Sequence, residues 1–296
     1  MSRAYVLLLL VLGAIWGSSY LFIKVGVRDL SPPALIEIRL ACAVPVLLVF
    51  AASRSGWRAI LAAWRPGVVL GVLNAAVPFT LIAWGERYVD SGVAAIANSS
   101  VPIFVALLAI WFAPAERSTG LRLVGILLGL VGVSILAGVH PAGGWHGVLG
   151  TAVIVLASVS YAASNLYAGK RMSAGGPVLA ASSMTVAFLV LLPFALLSLP
   201  VHAPGWKSVG SAVALGLLGT ALAQILSYRM IRVYGSSRAV LVAYMLPAFA
   251  LFYGAVFLNE PVSLQKLAGL VLILGGVALG AGAFRLPRRT QLVQAP

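Results

Sequence analysis

The chain has 296 residues, of which 61% are apolar and only 9% charged, and its mean hydropathy is +1.06. That composition excludes a soluble globular domain and marks a polytopic membrane protein. A formal net charge of +14 would suit a nucleic-acid binder in a soluble chain, but here the basic residues lie between apolar runs, where loop charge sets topology.

Runs long enough to cross a bilayer, roughly 17–25 residues each, are expected at 4–27, 34–52, 66–84, 91–112 and 121–139. Five more follow at 147–169, 178–199, 208–233, 237–257 and 264–284. The links between them are short and leave no room for a soluble domain. Arg3 ahead of a leucine-rich stretch, with Gly17-Ser18-Ser19 behind it, has the outline of a signal peptide. Its counterpart in the second half argues against cleavage. The single cysteine, Cys42, lies inside a run and reads as core packing.

The two halves repeat each other. Residues 92–138 superpose on 237–282, matching Ala94 with Ala239, Pro102 with Pro247, Phe104 with Phe249, Phe112 with Phe257, Glu116 with Glu260 and Gly132 with Gly276. Residues 12–24 superpose on 157–169, setting Trp16 on Tyr161, Ser19 on Ser164 and Tyr20 on Asn165. Such length argues a duplicated unit. Five spans per copy is an odd number, so the second copy enters the membrane from the opposite side and the repeats are inverted. The expected architecture is therefore all-α, ten transmembrane helices in two inverted five-helix repeats, 1–139 and 147–284, with a basic cytoplasmic tail at 285–296.

Loop charge orients this arrangement. One side carries Arg3, Arg54, Arg58, Arg65, Arg117, Arg122, Lys170, Arg171, Arg229, Arg232, Arg238, Arg285, Arg288 and Arg289, fourteen in all. The other carries five, Lys24, Arg28, Arg87, Lys207 and Lys266. Both termini are thus expected in the cytoplasm, with the chain in the cell (inner) membrane.

The opening LGAIWGSSYLFIK, Arg39 in the second span, the proline-centred fourth and ninth spans ending in glutamate, and the glycine-rich fifth and tenth spans together resemble the ten-helix EamA-type transporters of the drug/metabolite transporter superfamily. The resemblance covers nearly the whole chain. It implies a carrier with two inverted five-helix halves around a central cavity, exporting amino acids, other small metabolites or drugs. The aromatic amino-acid exporters of that superfamily are a near group. A multidrug or other metabolite efflux carrier is the alternative.

Candidate substrate-binding residues follow from the residues themselves. Trp16, Ser19, Tyr20 and Ile23 share one face of the first helix, and Tyr161, Ser164, Asn165 and Ala168 share the matching face of the sixth. Polar and aromatic groups on both faces suit a site at the repeat interface, or else small packing residues and interfacial anchors. Pro102 lacks an N–H and frees the carbonyl of Asn98, beside Ser99, while Pro247 does the same for Ala243 beside Tyr244. A freed carbonyl must find another donor in lipid, either a substrate or a neighbouring side chain at a kink. Gln224 and Tyr228, with Thr220 and Ser227, add polar groups to the eighth span, and Asn74 and Thr80 to the third. Each reads equally as an interhelical hydrogen bond.

Among charged groups, an ion pair between Lys24 and Glu37 is the expected arrangement, with proton uptake at Glu37 as the alternative. Arg39 lies nearly opposite Glu37 around the helix and is a carboxylate receptor or a structural residue. The scarcity of acids at mid-span favours a facilitator over a proton-coupled carrier. Glu116 and Glu260 precede new helices and read as helix caps. Glycines 125, 129 and 132, with 269, 275 and 276, read as close helix packing. An intramembrane enzyme would need a nucleophile and base or a metal cluster, whereas His140, His146 and His202 fall in expected loops and no HExxH is present. A non-transporting scaffold would have no need of mid-span polar residues. The sequence calls for a small-molecule substrate and a lipid bilayer, with no metal, cofactor or nucleic acid.

Overall fold

The computed structural model describes residues 3–112, 121–137, 144–171, 175–235, 239 and 241–280, and no strand occurs among them. The helices are α1 (Arg3–Gly26), α2 (Pro32–Ser55), α3 (Trp57–Ala62), α4 (Trp64–Gly71), α5 (Val77–Gly85), α6 (Ser91–Asn98), α7 (Val101–Phe112), α8 (Leu121–Ala137), α9 (Gly144–Arg171), α10 (Gly176–Leu197), α11 (Trp206–Ala214), α12 (Ala223–Tyr234), α13 (Leu241–Leu258) and α14 (Leu264–Gly280). Two π-helical segments, π1 (Val72–Ala76) and π2 (Leu215–Leu222), join α4 to α5 and α11 to α12. Glu116 and the tail at 285–296 lie outside the described residues.

Among the described residues, eight helical rods are long and apolar enough to cross a membrane: α1, α2, α4–π1–α5, α6–α7, α9, α10, α11–π2–α12 and α13. The apolar helices α8 and α14 have 17 residues each, about 25 Å at roughly 1.5 Å per residue. The protein is an all-α polytopic membrane protein. His146 belongs to α9 rather than to a loop, and its ring stacks on Tyr88 at 5.5 Å between centroids. Helix α1 runs from the Arg3 end of the bundle to the Lys24 end, and the two ends are named accordingly below.

The expected starts and stops are met by local chemistry. Ser31 opens α2, its hydroxyl accepting from the Ala34 N–H, with Pro32 and Pro33 in the first turn where no hydrogen bond is lost. Pro102 produces a true break: α6 ends at Asn98 and α7 begins at Val101. Pro247, its counterpart, sits inside the continuous α13. The difference follows from what precedes each proline, since Ser99 and Ser100 turn their hydroxyls onto the carbonyls of Ala95 and Ala97 and so compete with the helix ladder.

The π segments were not legible in the sequence. The 145-residue offset that sets Pro102 on Pro247 carries 72–76 onto 217–221, inside π2. A π turn widens the backbone ring and leaves carbonyls poorly served. Side chains supply the missing donors: the Ser160 hydroxyl donates to Leu73 O at 2.8 Å, and the Thr220 hydroxyl to Leu215 O at 3.2 Å.

Close packing comes from glycine at 129, 132 and 276, as expected, whereas a Cβ on Gly275 would meet only Leu128 at 3.9 Å, an ordinary contact. Helices α8 and α14 meet where a Cβ on Gly276 would stand 2.5 Å from Gly125 O and 2.7 Å from Gly129 N. In lipid, where apolar burial between helices gains little, such backbone proximity is what holds helices together. A large apolar cluster occupies the middle of the bundle, from Tyr20, Ile36 and Leu40 to Ile96, Ile154, Met184 and Leu215. A smaller one joins Tyr5, Leu12, Ala223, Met230 and Val242.

Gly276→Val should push α14 off α8 and lower the unfolding midpoint in detergent by about 5 °C or more. Gly210→Ala, where an added Cβ meets nothing within 4 Å, should leave it unchanged. Equal midpoints for the two variants would contradict the glycine seam.

Candidate substrate-binding site

Arg39 is the centre of the polar constellation. It lies two turns into α2 and is only 6% exposed. Its Nε donates to Thr220 Oγ1 at 2.7 Å, and its guanidinium carbon stands 3.6 Å from the centroid of the Phe79 ring. The π2 geometry places Thr220, and α5 supplies Phe79, so three elements fix one cation. The only ion pair among the described residues is Lys266 with Asp90, so Arg39 has no carboxylate partner there. A buried guanidinium stacked on a ring and anchored through one nitrogen presents its remaining N–H fork for bidentate contact with a carboxylate.

Beside it, a hydrogen-bonded chain links three rods. The Asn98 amide Nδ2 donates to Tyr20 Oη at 2.9 Å. The Ser158 hydroxyl of α9 lies 3.3 Å from Asn98 Oδ1 and 3.4 Å from Asn98 O. The one proton of the Ser158 hydroxyl is shared among the carbonyl that Pro102 frees, Asn98 Oδ1 and Ile154 O of its own helix at 3.3 Å. Thr80 Oγ1 on α5 is buried with no partner.

The remaining candidates divide by depth. Ser19 is buried against π2, its hydroxyl 2.8 Å from where a Cβ on Gly219 would stand, and Ser164 is buried as well. Tyr161 and Tyr244 pack half-buried against the large cluster that holds Tyr20. Trp16 packs instead against the smaller cluster, so it and Tyr20 serve different neighbours despite their shared face. Ser99 bonds only its own helix, and Asn165 is exposed. Gln224 and Tyr228 lie apart, in a cavity of about 90 Å³ at the Arg3 end, with Leu47, Phe50, Pro177 and Ile231. Gln224 follows Thr220 by one turn and Leu47 follows Arg39 by eight residues, roughly 12 Å along the helix. This cavity therefore lies below Arg39 on the same helix faces.

At the Lys24 end two expectations are corrected. Lys24 does not pair with Glu37: its Nζ donates to the carbonyls of Glu86 and Val89, each at 2.7 Å. Those carbonyls lie at and beyond the end of α5, where the helix dipole is negative and acceptors are unserved. Both oxygens of Glu37 are buried without a partner. Glu260 does not cap the helix it precedes, a task taken by Ser263, which accepts from Lys266 N. Its carboxylate instead accepts from Ser91 N at 2.9 Å, Ser91 Oγ at 2.9 Å and Gly92 N at 3.3 Å, capping α6 in the other half of the chain.

Asp29 mirrors that contact, accepting from Gly205 N at 3.1 Å and Ser208 Oγ at 2.7 Å at the start of α11. Lys266 to Asp90 at 2.6 Å and Ser31 to Ser198 at 2.8–2.9 Å add further ties between the halves. These contacts tie the two halves of the chain together at the Lys24 end. Ser158, Ser160, Phe79 and Glu86 are residues that sequence reasoning missed. The serines look like ordinary small packing residues, and Phe79 like any apolar side chain.

Removing one partner of the Tyr20–Asn98 bond strands the other in an apolar setting, a cost of about 1–3 kcal/mol. Tyr20→Phe and Asn98→Leu should each lower the unfolding midpoint in detergent. The double variant should lose less than the sum of the two, as coupled partners do. Strict additivity would contradict the bond.

The model of the EamA-like transporter family matches this chain twice, over residues 3–138 and 148–281. A probable terminal-alkyne amino-acid exporter of Streptantibioticus cattleyicolor is 31% identical over 272 residues, covering 89% of each chain. A probable amino-acid metabolite efflux pump of Salmonella typhimurium is 28% identical over 306 aligned positions, covering 99% of each. A crystal structure 17% identical in sequence superposes with a TM-score of 0.65 over 94% of this chain and 96% of the other, a likeness of fold. With the family model matching both halves, this chain belongs to the EamA-like transporter family.

Proposed function

We propose that this membrane transporter exports small carboxylate-bearing metabolites, amino acids foremost, with Arg39 receiving the carboxylate. One observation carries the reading: Arg39 is a buried cation held by Phe79 and Thr220 with no acidic partner among the described residues. An intramembrane cation of this kind is costly unless an anion joins it, and a substrate carboxylate is the anion that such a fork recognises. Tyr20, Asn98 and Tyr161 supply the polar and aromatic surroundings. The names of two relatives, an amino-acid metabolite efflux pump and an amino-acid exporter, support the same substrate class.

Transport follows alternating access between two inverted halves. The matched π segments and the opposed caps of Glu260 and Asp29 support that symmetry. Loop charge supports a cytoplasmic Arg3 end in the inner membrane, with the cavity of Gln224 and Tyr228 as the approach to Arg39. The stitched Lys24 end is then the closed exit. The buried, unpartnered Glu37 carboxyl on α2 favours a second reading, in which efflux of amino acids or other metabolites is coupled to proton uptake there. The shortage of acids at mid-span favours the facilitator.

Counterflow in proteoliposomes with a panel of labelled amino acids tests the reading. Arg39→Gln should reduce counterflow of the best substrate about tenfold or more, the worth of a charge-assisted hydrogen bond of roughly 1.5–3 kcal/mol. The amide of that amino acid, lacking the carboxylate, should fail to compete. Full activity in Arg39→Gln, or equal competition by the amide, would overturn the carboxylate site. A pH gradient that drives uphill accumulation and is abolished by Glu37→Gln would establish the coupled reading instead.

A further inference from the structure

Glu86 closes α5 at the Lys24 end and is 0% exposed, with neither carboxylate oxygen making a hydrogen bond. The neighbouring ammonium does not serve it, since Lys24 spends its contacts on the backbone carbonyls of Glu86 and Val89. The other charge acting on it is that of Glu260, whose oxygens are committed to Ser91 and Gly92. A carboxylate in such a position is uncompensated, whereas a neutral carboxyl is tolerated.

The surrounding ionisable groups leave this balance intact. Helix α1 contributes Lys24 and Tyr20, and the turn before α14 contributes Glu260. Within its own turn, Arg87 is exposed and Asp90 is held by Lys266. From α9, His146 stacks on Tyr88. Helix α2 packs on α5 and carries Arg39 and Glu37, neither of which is a charge acting on Glu86. Burial pushes the Glu86 carboxyl well above the usual carboxylate range, Lys24 opposing and Glu260 adding to the shift.

We propose that the Glu86 carboxyl is a proton-binding site of the Lys24 end, occupied while that end is closed and emptied when it opens. On opening, the O–H bond breaks, the proton passes to water on that side, and the carboxylate that remains is hydrated beside the Lys24 ammonium. The proton is held more tightly in the closed state, so low pH on that side favours closure. Raising the pH through the elevated range favours opening. This inference rests on the alternating access proposed above, and it adds a proton-sensitive exit without coupling export to the proton gradient.

The test places a reporter cysteine at Val89, which is 8% exposed in the turn after α5, in a Cys42→Ser background. Its alkylation by a membrane-impermeant maleimide is divided by that of Val201→Cys, a 93% exposed control at the same end, to cancel thiol ionisation. The normalised rate should rise by about threefold or more between pH 6 and 8.5, as a shift in the closed–open population requires. It should become flat in Glu86→Gln and keep its rise in Glu86→Asp. A reporter that reacts with no pH dependence, or with one that survives Glu86→Gln, overturns the proton site alone. A reporter silent at every pH, with and without amino acid, overturns both the proton site and the opening of this end.

Discussion

The first N–H groups of a helix have no acceptor within the helix, and at the edge of a bilayer they must find one. In this protein a carboxylate from the opposite half of the chain provides it. Glu260 seats on the start of α6 and Asp29 on the start of α11. Each contact fixes a helix of one half to a loop of the other. Together they tie the two halves at the Lys24 end and set the depth of α6. Because α6 is held there, its broken end brings Asn98 to Tyr20 and its freed carbonyl to Ser158. A cap at the membrane edge and a polar group near the middle thus belong to one mechanical element.

Arg39 obeys the same rule by a different route. Lipid offers it no water, so the fold surrounds it with a ring face and a hydroxyl, each from a separate rod. Thr220 can do this because π2 brings its hydroxyl to Leu215 O and still leaves the oxygen open to accept. Carrying a π segment costs some ladder regularity. In return, spans three and eight gain a place where a helix can deform without losing its hydrogen bonds, a property that the proposed alternating access would require of something in the bundle.

Much of the fold was legible in the sequence because its signals are local. Apolar length marked the rods, glycine at 125, 129, 132 and 276 marked the α8–α14 seam, and proline at 102 marked the break after Asn98. Tyr20, Asn98 and Arg39 stood out because polar groups in apolar runs are conspicuous. What stayed hidden was pairing at a distance. Lys24 and Glu37 looked like partners by depth alone, yet an ammonium beside the end of α5 finds two carbonyls closer at hand. Glu260 read as a cap for the helix it precedes, whereas the open N-terminus facing it belongs to α6. The π segments leave no mark in composition, and the residues that flank them, Gly71 and Val77, Ala214 and Ala223, keep ordinary right-handed helical dihedrals. The burial of Glu86 stayed hidden as well, because exposure is a property of the folded neighbourhood rather than of position in the chain.

The central claim is that a carboxylate substrate shifts this bundle between opposed openings. Spin labels at Arg87 and Val201 would report on the Lys24 end, and labels at Arg58 and Arg232 on the Arg3 end, all four being exposed positions in different halves. Pulsed dipolar distances in lipid nanodiscs, measured as amino acid is added, should change in opposite senses, the first pair separating as the second approaches. Distances that remain fixed, or that lengthen together at both ends, would contradict the account.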